Sequence, residues 1–189
     1  RLTAVEGNIN LAYDAVWRLL TVNHYNGSAL GMTYDVVNRP TQIVQTLPNG
    51  FSASLGYAYD ANGNRTQMTT LWGVFRYSYD TMNRVTSIVN PFGQTITFTY
   101  DALGRRTSMA YPNGTKTTYA FDAAGQIAQV VHQKTADQSA IAFTNYDYDI
   151  NGNRTGFADA QGGHAFTYDV LNRLATATQP NLSETFAYD

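Results

Sequence analysis

Nine aspartates recur along the chain, and each of them directly follows an aromatic residue. Successive members of this series are 20 to 27 residues apart, and an arginine stands four or five residues after seven of them. Carboxylates and guanidinium groups at such fixed spacing could bind sugars or phosphates, or they could pair with each other. Binding residues rarely recur in every unit with the same turn residues between them. We therefore interpret the charges as an Asp–Arg clamp that is repeated along a structural array.

The predicted motif is structural, and it assigns no catalytic, metal or cofactor residue. Its members are the aromatic residue, the aspartate and the arginine of each unit, together with one turn glycine. They are Tyr13, Asp14, Arg18, Tyr34, Asp35, Arg39, Tyr59, Asp60, Arg65, Tyr79, Asp80, Arg84, Tyr100, Asp101, Gly104, Arg105, Phe121, Asp122, Tyr148, Asp149, Arg154, Tyr168, Asp169 and Arg173. Trp17, at the first turn, and Phe121 and Gln126, in the sixth unit, depart from the pattern. We expect less regular hairpins at those places.

The residues between aspartate and arginine predict a tight turn. The third residue after the aspartate is Gly or Asn in seven of eight units, and these two residues tolerate a left-handed backbone. Aspartate at the first turn position, with Gly or Asn at the fourth, is typical of a three-residue β-hairpin loop with its bulge. The aspartate carboxylate can accept hydrogen bonds from the N–H groups of its own turn.

The segments on either side of each turn predict β-strands. Residues 95–100 alternate polar and apolar side chains, which places Ile96, Phe98 and Tyr100 on one face. The returning arm ends at a second turn signal, Pro-Asn-Gly at 112–114. Each unit of roughly 20 residues is thus a hairpin with strands of about six residues. No stretch of the chain predicts a helix, so we expect an all-β array of about sixteen to eighteen strands.

Recognised catalytic and metal-binding patterns are absent from the sequence. His24, His132 and His164 lack the spacing of a metal site, and we interpret them as surface or strand residues. The turns at Asp60 and Asp149 resemble the opening of a calcium loop, but no carboxylate stands at the twelfth position. The chain contains no cysteine. We expect no enzyme activity and no cofactor.

Composition limits the partners that the sequence predicts. The formal net charge is −2, and twelve Lys and Arg residues form no basic cluster, so no nucleic acid is expected. No apolar run is long enough to span a membrane as a helix, and the segment carries no signal sequence. The longest step of the array contains a polar stretch, residues 132–139. Two readings remain open for it, a solvated hairpin tip or a recognition loop.

Three units carry a specific family resemblance. Residues 59–66 (YDANGNRT), 79–87 (YDTMNRVTS) and 100–108 (YDALGRRTS) resemble the YD repeats of the Rhs family. That family includes Rhs effectors, the B and C components of Tc toxins, wall-associated contact toxins and the YD shell of teneurins. The resemblance extends over nearly the whole chain. It implies tandem hairpins in a curved antiparallel sheet, which forms a segment of a hollow spiral β-shell.

The resemblance also implies a function and a set of partners. Residues 1–189 would be an array of about nine repeats, cut from a longer shell, in a secreted or cell-surface protein. The implied role is encapsulation, in which the shell encloses a C-terminal toxin or effector domain. The partners would be the remainder of the shell and the enclosed domain, with a delivery-apparatus component or a surface glycan in addition. The alternative is an extracellular adhesion module that recognises carbohydrate or protein.

Overall fold

A computed structural model describes residues 4–5 and 9–189 of the chain. Every regular element in these residues is a β-strand, which confirms the all-β expectation. In the same residues, no helix is long and apolar enough to cross a membrane. The chain divides into two compact units, Arg1–Thr95 and Ile96–Asp189.

The first unit is a series of antiparallel strands in which each strand pairs with the next along the chain. Its strands are β1 (Ala4–Val5), β2 (Ile9–Tyr13), β3 (Leu19–His24), β4 (Ala29–Tyr34), β5 (Pro40–Thr46), β6 (Ser52–Tyr59), β7 (Arg65–Thr70), β8 (Gly73–Tyr79) and β9 (Val85–Val89).

The second unit repeats this arrangement, again with sequential antiparallel pairing. Its strands are β10 (Thr95–Tyr100), β11 (Arg106–Ala110), β12 (Thr115–Phe121), β13 (Ile127–Lys134), β14 (Ala140–Tyr148), β15 (Arg154–Asp159), β16 (Gly162–Tyr168), β17 (Leu174–Gln179) and β18 (Leu182–Thr185).

The turn at each repeated aspartate has one geometry throughout. In the fifth repeat the Asp101 N–H donates to the Arg105 carbonyl at 2.9 Å, and the Gly104 N–H donates to the Asp101 carbonyl at 3.0 Å. The fourth turn residue has a positive φ, 83° at Gly104 and 70° at Asn38. The strand register also shifts at every one of these turns, which is the bulge that such loops carry.

Two of the expected irregularities do not occur. Trp17 adopts a φ of 69°, so its turn has the same backbone as the Asn turns although a bulky residue occupies the left-handed position. The sixth-unit turn also keeps its backbone, since the Asp122 N–H donates to the Gln126 carbonyl at 2.9 Å. The prediction of less regular hairpins was wrong because the turn is held by main-chain bonds. These bonds join main-chain groups, so they form with tryptophan at position 17 and with glutamine in place of the arginine at position 126.

The polar stretch 132–139 is less loop-like than its composition indicates. Strand β13 continues to Lys134, and only the residues after it form the turn that leads into β14. Within this turn Gln138 has a φ of 58°, and the Asp137 carboxylate accepts the Ser139 N–H at 3.0 Å. The longer spacing between Asp122 and Asp149 is therefore due in part to longer strands, with eight residues in β13 and nine in β14.

The strand register separates the side chains of each unit into an aromatic face and a polar face. Residues that pair directly across antiparallel strands point to the same side, and side chains alternate along each strand. The pairs Tyr57–Met68 and Tyr146–Phe157 therefore define the aromatic face of the first and second unit, respectively. The expected grouping of Phe98 with Tyr100 follows the same alternation. The polar face carries Thr and Ser ladders, such as Thr99–Ser108 with 2.7 Å between hydroxyl oxygens.

Neither unit encloses a hydrophobic core within the described residues. No apolar side chain there is fully buried, and the one buried polar side chain, Thr117, is 1% exposed. Aromatic-face residues such as Tyr57, Phe157 and Phe166 are half-buried by their neighbours in the sheet. Each unit is thus a single layer, which is stabilised by ladder hydrogen bonds and by contacts between adjacent strands.

The left-handed turn position provides a direct test of the fold. Replacing Gly104 by valine should lower the free energy of unfolding by about 1–2 kcal/mol, because Cβ crowds the backbone at φ 83°. Gly163→Val is the matched control, since Gly163 lies in a strand with open space where a Cβ would stand. Urea denaturation of both variants measures the difference. Equal losses would contradict the assignment of turn strain to position 104.

Candidate functional site

The repeated aspartate binds its own turn with both carboxylate oxygens. In the fifth unit, Oδ1 of Asp101 accepts the N–H groups of Leu103 at 3.0 Å and Arg105 at 2.9 Å. Oδ2 accepts Nε of Arg105 at 2.7 Å. One carboxylate therefore satisfies two main-chain donors and one guanidinium at the same bend, as the clamp hypothesis requires.

The ion pair between aspartate and arginine occurs in five units, with N–O distances between 2.5 and 2.7 Å. The pairs are Asp14–Arg18, Asp35–Arg39, Asp80–Arg84, Asp101–Arg105 and Asp169–Arg173. Most of these side chains are between a fifth and a third exposed, so water screens the Coulomb attraction in part. The turn hydrogen bonds supply the rest of the interaction.

Two predicted clamp arginines do not pair with their aspartates. Arg65 and Arg154 stand five residues after Asp60 and Asp149, and an asparagine occupies the fourth position in each unit. Nδ2 of Asn64 donates to Oδ2 of Asp60 at 3.0 Å, and Asn153 makes the equivalent bond at 2.9 Å. Strands β7 and β15 begin at these two arginines, while the asparagine in the turn binds the carboxylate. The clamp prediction for Arg65 and Arg154 was therefore wrong.

The clamp arginine also reaches the following repeat. Nη1 of Arg18 donates to the Asp35 carbonyl at 2.9 Å and to Oδ1 of Asn38 at 2.9 Å. Nη1 of Arg39 reaches the Asp60 carbonyl at 3.1 Å. The guanidinium lies over the next aromatic ring of the motif, 4.4 to 5.0 Å from its centroid. These contacts are Arg18–Tyr34, Arg39–Tyr59, Arg105–Phe121 and Arg173–Tyr188.

The motif tyrosine completes the link through its hydroxyl group. In six units the hydroxyl donates to the main-chain carbonyl of the residue five places after the preceding aspartate, at 2.8 to 3.0 Å. The donor–acceptor pairs are Tyr34–Leu19, Tyr59–Pro40, Tyr79–Arg65, Tyr148–Ile127, Tyr168–Arg154 and Tyr188–Leu174. The repeat spacing does not predict this bond. Its one signal is the tyrosine at eight of the nine motif positions, where phenylalanine would serve packing alone.

The sixth unit shows what remains when the motif is incomplete. Phe121 lacks the hydroxyl, but its ring still receives the Arg105 guanidinium at 4.4 Å. Asp122 accepts the Gln126 N–H at 2.8 Å, and the Gln126 side chain makes a long bond of 3.4 Å to the Gly152 carbonyl. The turn is kept, while the charged part of the clamp is absent.

Hydrogen bonds within the turn lower the pKa of five of the repeated aspartates, which are Asp35, Asp60, Asp80, Asp149 and Asp169. At Asp35, Asp80 and Asp169 the main cause is the backbone N–H of the clamp arginine, and partial burial offsets some of the effect. At Asp60 and Asp149 the main cause that lowers the pKa is the asparagine side-chain amide. Each of these carboxyl groups therefore stays ionised below the ordinary pKa of 3.8.

Two of the histidines make structural contacts with their neighbours in the sheet. Nδ1 of His132 is 2.9 Å from Oγ1 of Thr117, its cross-strand neighbour. The His164 ring stacks on Phe157 with 4.0 Å between ring centroids. No group of three or more His, Asp or Glu side chains in the described part of the chain could hold a metal ion. At the two calcium-like turns, the asparagine amide occupies the second carboxylate oxygen of the aspartate.

The turns at the two ends of the strands differ in the side chains that they expose. In a sequentially paired sheet the hairpin turns alternate between these two ends. Within each unit all aspartate turns therefore lie at the same end of the strands, which we call the Asp edge. Its turn tips expose aliphatic residues, including Val36 (98% exposed), Leu103 and Ile150. In the first unit, the opposite edge exposes the aromatic rings of Tyr25, Trp72 and Phe92.

The tyrosine link predicts the result of a reciprocal pair of substitutions. Tyr59→Phe should lower the free energy of unfolding by about 0.5–1.5 kcal/mol, because the Pro40 carbonyl loses its donor. Phe121→Tyr restores the missing hydroxyl in the sixth unit, and it should leave stability unchanged or raise it. Urea denaturation at low protein concentration measures both. A neutral Tyr59→Phe variant would contradict a stabilising role for the hydroxyl bond.

The aspartates predict how the chain responds to acid. A carboxyl group with a folded-state pKa below its unfolded value contributes stability above the unfolded value, and this contribution is lost as pH falls through the folded value. The free energy of unfolding should therefore change little between about pH 7 and pH 5 and then fall below about pH 4. An Asp35→Asn variant should be less stable at neutral pH and should lose less on acidification. Urea denaturation across this range is the measurement, and a loss that begins above pH 5 would contradict the assignment.

The comparisons with known proteins agree with this geometry. Structures of TcdB2-TccC3 and of TcdB2-TccC3-Cdc42 superpose on 90% of the chain at 14% sequence identity, with TM-scores of 0.77 and 0.76. The Tc holotoxin pore of Photorhabdus luminescens, with a TccC3 variant, matches 89% of the chain at 13% identity with a TM-score of 0.59. These similarities show the fold. The chain spans only about a tenth of the length of these solved chains, namely 11% for TcdB2-TccC3, 10% for TcdB2-TccC3-Cdc42 and 12% for the holotoxin pore.

Sequence comparison identifies the family. No curated protein sequence matches the chain. The family model of the teneurin YD-shell matches residues 2–141, which is well over half of the 189 residues. This range includes the first six aspartate turns, from Asp14 to Asp122. The chain therefore belongs to the teneurin YD-shell family.

Proposed function

We propose that the chain is a wall segment of a β-shell that encloses a C-terminal toxin or effector domain in a secreted protein. The observation that carries the proposal is the single-layer sheet, which has an aromatic face and no enclosed core in the described residues. A sheet of this kind has no interior of its own, so it suits the boundary of a larger chamber. The similarity to TcdB2-TccC3 and the family membership support the same role.

The proposal includes the organisation of the full protein. Residues 1–189 would be one stretch of a longer array, in line with the small share of the solved chains that they cover. The exposed aliphatic tips of the Asp edge would then be covered by other parts of the shell. In this role the segment itself is not an enzyme. Any activity would lie in the enclosed domain, and the protein would act outside the cell that makes it.

A recognition module is the second candidate, and one observation favours it. On the first unit Trp72 is 76% exposed and Phe92 is 79% exposed, both at turns of the edge opposite the aspartates. Trp72 also borders a shallow cavity of about 290 Å³ that Leu30, Ile43 and Leu55 line. Exposed aromatic rings at hairpin tips are a common platform for carbohydrate or protein ligands.

Cysteine labelling distinguishes the two candidates, because the chain has no native cysteine. Gln42 and Gln45 are both exposed on β5, where Gln42 lies on the polar face and Gln45 on the aromatic face. Single Gln42→Cys and Gln45→Cys variants should both react with a bulky polymer-linked maleimide in the isolated segment. In the full-length protein, the position on the chamber side should become unreactive.

Two outcomes would contradict the proposal that the chain is a wall segment. Equal labelling of both faces in the full-length protein would contradict a closed chamber and favour the recognition module. A hydrolase, transferase or nuclease activity that copurifies with the isolated segment would contradict the assignment of activity to another domain. Sedimentation of the isolated segment adds a third readout. A wall segment should self-associate through its unpaired outermost strands, whereas a stable monomer is expected of a recognition module.

A further inference from the structure

Two of the aspartate turns share a variant of the motif, Asn-Gly-Asn-Arg, at residues 62–65 and 151–154. In both, the asparagine takes the place of the clamp arginine and binds the aspartate. The same amide group also donates to the next turn, from Asn64 to Asn83 at 2.7 Å and from Asn153 to Asn172 at 2.8 Å. The two asparagines thus make both the turn contact and the contact with the following unit. The arginine that comes next is not needed for the clamp.

These two arginines lie on the aromatic face of their own unit. Arg65 pairs with Tyr59 in the strand register, and Arg154 pairs with Tyr148. The Arg65 guanidinium lies 4.7 Å from the Tyr77 ring centroid and 5.7 Å from that of Tyr57. The second site is richer in rings, because the Arg154 guanidinium lies 5.6 to 5.8 Å from the centroids of three of them. They are the rings of Tyr146, Phe157 and Phe166.

Neither arginine has an acidic partner among the described residues. The five ion pairs there all belong to the clamp. Nε of Arg65 is buried and has no hydrogen-bond partner. Arg154 is exposed. A guanidinium carries five N–H donors and no acceptor, and aromatic neighbours satisfy none of those donors.

The backbone at both positions is held in place. The Arg65 carbonyl accepts the Tyr79 hydroxyl at 2.8 Å, and the Arg154 carbonyl accepts the Tyr168 hydroxyl at 2.8 Å. The backbone bond fixes where each side chain begins, and the neighbouring rings restrict where its guanidinium can lie. A guanidinium restricted by its neighbours loses less conformational entropy when it binds a carboxylate, so the geometry favours capture of an anion.

From these contacts we propose that Arg65 and Arg154 are two docking sites for an acidic polypeptide segment. The carboxylate of an Asp or Glu would pair with the guanidinium in a bidentate manner, and a neighbouring apolar or aromatic side chain of the partner would pack on the rings. The proposal concerns the aromatic face itself. It does not require that the sheet encloses a domain.

Charge complementarity favours a peptide over a dense polyanion such as nucleic acid. Five of the twelve Lys and Arg residues are committed to aspartates in the clamp, and the chain carries a net charge of −2. Arg65 and Arg154 belong to different compact units, and each of them lies against two or more aromatic rings. Arg106 occupies the same position of its repeat but has one ring nearby, Tyr119 at 5.2 Å. Single guanidinium groups among rings suit scattered carboxylates.

The test uses fluorescence anisotropy with three labelled peptides of equal length. In these peptides tyrosine alternates with glutamate, glutamine or lysine. The unsubstituted chain should bind the glutamate peptide at least about tenfold more tightly than the other two, and the preference should weaken at high salt. This measurement requires no substitution. Equal affinity for the three peptides, or no binding of the glutamate peptide, would overturn the proposal.

Substitutions then locate the sites. The Arg65→Gln, Arg154→Gln double variant should bind the glutamate peptide about tenfold more weakly, and the corresponding double lysine variant should lose less because it keeps the charge. The control is Arg76→Gln with Lys116→Gln, which removes two charges from the polar face. An equal loss in the control would show a net-charge effect and overturn the assignment. Unfolding midpoints of all variants establish that each is folded, and cysteine labelling of the full-length protein tests the shell separately.

Discussion

The link between successive hairpins is the interaction on which the rest of this fold depends. One aspartate holds its own turn through two main-chain N–H groups and, in five units, a clamp arginine. That arginine lies over the aromatic ring of the next motif, and the next tyrosine hydroxyl returns a hydrogen bond to the backbone. Each unit therefore orders its neighbour as well as itself. Because a single hairpin is only marginally stable in water, this coupling is what makes a coreless array possible.

The absence of a filled core in the described residues changes where stability originates. A sandwich or a barrel of this size would bury many large side chains, whereas among the residues that the structure describes only Thr117 falls to 1% exposure. Ladder hydrogen bonds, cross-strand pairs and cation–π contacts between adjacent repeats stabilise the sheet instead. The sheet consequently keeps two usable faces. A layer with one aromatic face and one Thr- and Ser-rich face is suited to a boundary, which is the physical basis of the proposed wall.

Small changes in the repeat redirect its charges without altering the backbone. When asparagine occupies the clamp position, the turn keeps its hydrogen bonds, and the arginine that follows one residue later pairs with the motif tyrosine of its own unit. When Gln126 occupies it, the positive charge of the clamp is missing and the turn still forms. The main-chain geometry tolerates both changes because the aspartate and the left-handed residue define the bend. A YD array can therefore vary the chemistry of its faces while its architecture stays the same.

The sequence alone was sufficient for the all-β class, the hairpin unit, the aspartate turn and the left-handed residue at its end. These features are local, since spacing and backbone preference determine them within a few residues. Tertiary structure decided what depends on neighbouring strands. It showed that the Tyr59 hydroxyl reaches the Pro40 carbonyl, that Arg39 lies over the ring of the following unit, and that Arg65 lies on the aromatic face. One residue of offset along a bulged strand reverses the direction of a side chain. Only the paired strands, and not the spacing in the chain, reveal which side it takes.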